Sequence, residues 1–94
     1  MAIKSWECEE TRAIFDGDWS RNFPRQIQRR AERKLKMLDA AQAVEDLRAP
    51  PGNRLERLHG DREGQYSIRV NDQYRICFVW RAGHAYQVEM VDYH

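Results

Sequence analysis

The chain has 94 residues, 41% of them hydrophobic and 11% aromatic, which is room for one domain with a single modest core. Charged residues reach 33% while the net charge is only +1, so neither a polybasic tail nor an acidic disordered chain fits. Two isolated cysteines, Cys8 and Cys77, exclude a zinc ribbon or a disulfide framework. The absence of a long apolar run leads us to expect a cytoplasmic protein with no membrane contact.

In chain order, Ile3-Lys4-Ser5-Trp6 reads as a short first strand, followed by a helix from about Glu9 to Asp16 that Gly17 ends. Asn22 is the expected N-cap of a second helix, with Pro24 in its first turn. Ile27, Ala31, Leu35 and Leu38 make its apolar face. Met37, Ala41, Val44 and Leu47 extend the pattern as far as Ala49-Pro50-Pro51-Gly52. Arg29, Arg33 and Lys36 fall on the opposite, solvated side. Residues 53–60 read as a loop or short extended stretch. The period then changes to two: Tyr66, Ile68 and Val70 alternate with Gln65, Ser67 and Arg69, and after a turn at Asn71-Asp72 Tyr74, Ile76, Phe78 and Trp80 alternate with Arg75, Cys77 and Val79. Ala82-Gly83 makes a second turn before a last strand, in which alternation puts Tyr86 toward the core. The expected fold is α+β over residues 1–94, a single domain with two N-terminal helices packed on one face of an antiparallel sheet.

Charge is locally asymmetric. From Arg21 to Lys36 there are seven basic residues and one acid, a stripe suited to a polyanion or an acidic protein. His59, His84 and His94 lack metal-ligand spacing, so neither a metal nor another cofactor is expected. Acid/base cleavage of RNA fits the remaining residue types, because RNA supplies its own nucleophile in the 2′-OH. Such a site needs a proton acceptor, a proton donor and a cation at the phosphate. The chain's last residues, Asp92-Tyr93-His94, bring an acid, a phenol and an imidazole beside the strand that carries Arg75. Arg62 and Arg69 are candidate phosphate contacts nearby. The competing reading is a binding module that holds RNA or a regulator without cutting it.

The run from Leu58 to Phe78, with its Gly64-Gln65-Tyr66-Ser67-Ile68-Arg69 and Tyr74-Arg75-Ile76 segments, and the ending Val88 to His94 together resemble the HigB branch of the RelE toxin superfamily. The likeness extends over almost the whole chain and is most specific in the final 37 residues. It implies the toxin of a type II toxin–antitoxin pair, a ribosome-dependent mRNA endonuclease acting in the A site of the 70S ribosome. It also implies a HigA-type antitoxin with a helix-turn-helix, through which alone operator DNA would be met. By that resemblance Asp92, Tyr93 and His94 are catalytic, and Arg75 stabilises phosphate charge. Some relatives carry a catalytic histidine where this chain has Glu56, and a lysine where it has His59. The acid/base partner is therefore open: Glu56 or His59 substitutes, or His94 works with Tyr93 alone.

Overall fold

The computed structural model describes residues 1–93; His94 lies outside the described residues. Helix α1 spans Glu9–Phe15, with Glu9 and Glu10 in its first turn, where acids complement the positive helix end. Helix α2 spans Arg25–Ala40 and buries Ile27, Ala31, Leu35 and Leu38, the stripe read from spacing. A sheet of four antiparallel strands follows in simple order: β1 (Glu56–Arg57), β2 (Gln65–Arg69), β3 (Tyr74–Arg81) and β4 (His84–Asp92). Both helices lie on one face of this sheet. The core between the layers includes Ile14, Leu35, Leu38, Ile68, Ile76, Phe78 and Val88, all fully buried. Each such side chain contributes about 1.5–3 kcal/mol of apolar burial. Thr11 joins the layers directly, its hydroxyl oxygen accepting from the Met90 amide at 2.9 Å.

Four local expectations are corrected. Ile3–Trp6 is not a full strand: Ile3 and Trp6 make isolated parallel bridges to Ala85 and Val88 of β4. The helix starts after Pro24 rather than at Asn22, whose place in the loop is held by Ser20 and Gln28. Helix α2 stops at Ala40 although the apolar spacing continues, and Val44–Arg48 forms a separate 3-10 turn. The cause is a change of partners. The Asp39 carbonyl accepts from Ala2 at 2.7 Å, while Asp46 takes the amides of Gln42 and Ala43 at 2.9 and 3.1 Å. The final correction is in β4. Its pairing with β3 shifts register between Cys77 and Val79, and Gln87 there has φ 55°. This bulge puts Ala85 in the core alongside Val88, and leaves Tyr86 half-buried under the Arg81 guanidinium.

The two hairpin turns form where expected. Asn71 accepts from the amides of Gln73 and Tyr74 at 2.9 and 2.7 Å. Ala82 and Gly83 both have positive φ, 53° and 81°, the pattern of a two-residue hairpin turn whose twist matches its strands.

Candidate active site

Alternation along β3 sends Ile76, Phe78 and Trp80 toward the helices and Arg75 and Cys77 to the other face. Arg75 is only 8% exposed there, and its guanidinium is held from several sides. Nε donates to the Ser67 hydroxyl at 2.7 Å, and one terminal nitrogen donates to the Arg54 carbonyl at 2.6 Å. The other terminal nitrogen lies 3.8 Å from the Glu56 carboxylate, which is half exposed on edge strand β1. Above the guanidinium, 6.0 Å away, is the ring of Tyr93. Tyr93 is 39% exposed, and its backbone is fixed past the end of β4 by its N–H, which donates a hydrogen bond to the Gln73 carbonyl at 2.7 Å. The fold thus joins a fixed cation, a carboxylate and an open aromatic ring.

Arg62 belongs to the same face. It donates to Gln65 of β2 at 3.1 Å and lies 3.6 Å from Glu89 of β4, so it reaches across β3. Cys77 pairs with Ser67 on one side and Glu89 on the other. It is fully buried, and burial pushes its thiol up from the usual value against the pull of Arg62 and Arg75. Ser67, Gln65, Glu89 and the Arg54 carbonyl were not singled out from the sequence. The signal available for the first three was their position on alternate residues of strands flanking Arg75.

Other expected site residues lie apart from this cluster. Asp92 pairs with Tyr74, so its side chain leaves β4 on the face away from Arg75, and it accepts from Gln73 at 3.0 Å. Arg69 stands opposite Arg75 in the ladder, but its guanidinium pairs with Asp72. His59 is exposed at the start of the Gly60–Arg62 turn. Arg29, Arg33 and Lys36 are exposed on α2, distant in the fold from the open sheet face. His94 lies outside the described residues. Among the described residues no group of three His, Cys, Asp or Glu side chains could hold a metal ion, and no helix is long and apolar enough to cross a membrane.

A family model described as the RelE-like toxin of the type II toxin-antitoxin system HigB matches residues 9–94. The chain belongs to this HigB-like toxin family. Over 63 residues it is 56% identical to Toxin HigB-1 of Vibrio cholerae, covering 67% of this chain and 66% of that protein. An uncharacterized protein of Haemophilus influenzae is 42% identical over 62 residues, 66% of this chain and 61% of the relative. Endoribonuclease HigB of Proteus vulgaris is 33% identical over 92 residues, 98% of this chain and 99% of the relative. Two solved structures share the fold of this HigB-like chain. One is the YoeB-YefM complex from Staphylococcus aureus, with a TM-score of 0.61 and 15% identity over 100% of this chain and 99% of that one. The other is the YoeB dimer from the same organism, with a TM-score of 0.59 and 20% identity over 100% and 97%. The helices-on-sheet architecture expected from the pattern is thus the architecture of both of these solved structures.

Proposed function

We propose that this HigB-like toxin is an endoribonuclease that cuts mRNA in the ribosomal A site and so halts translation. The observation that carries the proposal is Arg75, buried and fixed by Ser67 and Arg54, with Glu56 beside it and the Tyr93 ring over it. A guanidinium held in this way is a preorganised partner for phosphate charge and needs no rearrangement as that charge grows. Tyr93 stacks on a base and seats the nucleotide. Glu56 takes the 2′-OH proton, the 2′-oxygen attacks phosphorus, and the bond to the 5′-oxygen breaks as His94 supplies its proton. The products are a 2′,3′-cyclic phosphate and a 5′-OH end, and the RNA's own hydroxyl is the nucleophile throughout. Glu56 is preferred to His59 for the base because it lies against Arg75. Asp92 and Gln73 hold the segment that carries Tyr93. Arg62 adds a second cation on the same face, and exposed Arg29, Arg33 and Lys36 meet ribosomal RNA. A HigA-type antitoxin with a helix-turn-helix is the partner that neutralises the toxin and brings it to operator DNA. Membership of a toxin–antitoxin family supports this.

The test is to incubate the purified protein with mRNA on programmed ribosomes, and with the same mRNA free, and to map the 5′ ends. Cuts at codon-defined positions only on ribosomes, lost with His94→Ala and with Glu56→Gln, are the expected result. Folded protein that binds ribosomes and cuts neither sample would instead make the fold a binding module.

A further inference from the structure

Helix α2 carries basic residues on two flanks. Arg29, Arg33 and Lys36 surround a shallow outer depression that also includes Glu32. Arg30 and Lys34, one turn apart, line the seam where the helix meets the β2–β3 hairpin. There Arg30, Arg33, Lys34 and Arg69 border a depression of about 380 Å³, closed on one side by Pro50 and Gly52, and no acid is among its lining residues.

Neutral acceptors hold Lys34 and Arg30. Lys34 donates to the side-chain oxygen of Asn53, which is fully buried and itself donates to the carbonyls of Leu47 and Ala49 at 3.1 and 3.2 Å. Arg30 donates to the Val70 carbonyl at 3.4 Å. Arg69 pairs with Asp72, a carboxylate that is 98% exposed and so well screened by solvent. Carbonyl acceptors orient a cation without cancelling its charge, so the seam keeps most of its positive charge. Burial, together with the neighbouring Arg30, Arg69 and Arg33, pushes the Lys34 ammonium down from its usual value, a sign that the cations repel one another. An anion with several acceptor oxygens answers that arrangement, and paired guanidinium forks match phosphate. Arg69 is also the cross-strand partner of Arg75, so the seam begins next to the proposed cleavage site.

We propose that this seam is a phosphate cradle, in which Arg30, Lys34 and Arg69 grip the RNA sugar–phosphate backbone flanking the bond cut at Arg75. The inference rests on the nuclease reading for its ligand, and goes beyond it by assigning a second backbone site to residues at the seam between α2 and the β2–β3 hairpin.

The test uses the full chain carrying His94→Ala, so that RNA is not consumed, and a 2′-O-methyl oligoribonucleotide followed by fluorescence anisotropy across a salt series. Each lost phosphate contact lowers the slope of log K against log salt by about 0.7 for a single strand. Arg30→Gln with Arg69→Gln should lower it by about 1.4, while Arg30→Lys with Arg69→Lys should keep it near the parent value. Should the double glutamine variant fold poorly, Arg30→Gln alone, at an exposed position, should lower it by about 0.7. An unchanged slope and affinity in these variants overturns the cradle. Unchanged RNA binding with weakened antitoxin binding also overturns it, and gives the seam to a protein partner. The two readings fail separately. A chain with His94 that cuts nothing, alongside the expected slope change, removes the nuclease and keeps the cradle as an RNA-backbone site. Cutting with no slope change removes the cradle alone.

Discussion

A guanidinium as buried as that of Arg75 is tolerated only when its donors find acceptors, and here Ser67 supplies the closest side-chain oxygen, 2.7 Å from Nε. Removing it leaves a buried, charged donor unsatisfied. Ser67→Ala should therefore cost about 1–3 kcal/mol of stability, readable as a lower midpoint in urea. On the proposed mechanism it should also slow RNA cleavage, because it frees the guanidinium that the hydroxyl fixes. Ser67→Thr keeps the hydroxyl and should recover both. If Ser67→Ala cleaves at the parent rate, the hydroxyl does not position Arg75. Arg75 itself was legible from sequence as a basic residue alternating with apolar ones on the strand beside the C-terminal triplet. Ser67 was not, because a serine between Tyr66 and Ile68 looks like any polar residue on a strand's wet face. Only the β2–β3 register shows that it lies diagonally beside Arg75.

At the scale of elements, periodicity was sufficient where one partner surface decides the structure and insufficient where two compete. The stripe on α2 and the alternation in β3 each answer to a single core, and both formed as read. The far end of α2 did not, because the Asp39 carbonyl in its last turn accepts from the N-terminal segment and Asp46 captures the amides beyond it. The bulge in β4 was invisible for a related reason. One extra residue changes which side chains face inward, and no local composition marks it. The β3–β4 turn, by contrast, is plain in sequence yet carries a cost. Ala82 sits at φ 53°, where a side chain costs about 1–2 kcal/mol that glycine avoids. Ala82→Gly should recover roughly 1 kcal/mol, raising the thermal midpoint by about 4–8 °C in a domain of this size. A drop in the midpoint would show that the side chain's contacts outweigh the backbone strain.

For the whole molecule, two displaced titrations make stability depend on alkaline pH with opposite signs. Cys77 is held above its ordinary value of 9.0 by burial. As pH passes 9.0 the unfolded chain loses this proton while the folded chain keeps it, so folding weakens from there up to the raised native value. Lys34 lies below its ordinary 10.5, so between its native value and 10.5 the unfolded chain holds more protons and folding strengthens as pH rises. Above pH 9.0 Cys77 contributes a downward trend, and removing it isolates that contribution. In urea titrations from about pH 8 to 10, the parent midpoint should fall more than that of Cys77→Ala, measured as the difference between the two curves. The thiols offer an independent check, since Cys8 is half-buried and Cys77 fully enclosed. A thiol reagent at pH 8 should modify Cys8 first and reach Cys77 only at the rate at which the sheet opens. Parallel pH curves for parent and variant, or fast labelling of Cys77 in folded protein, would mean that the open sheet face is wetter at Cys77 than its position between Ser67 and Glu89 implies.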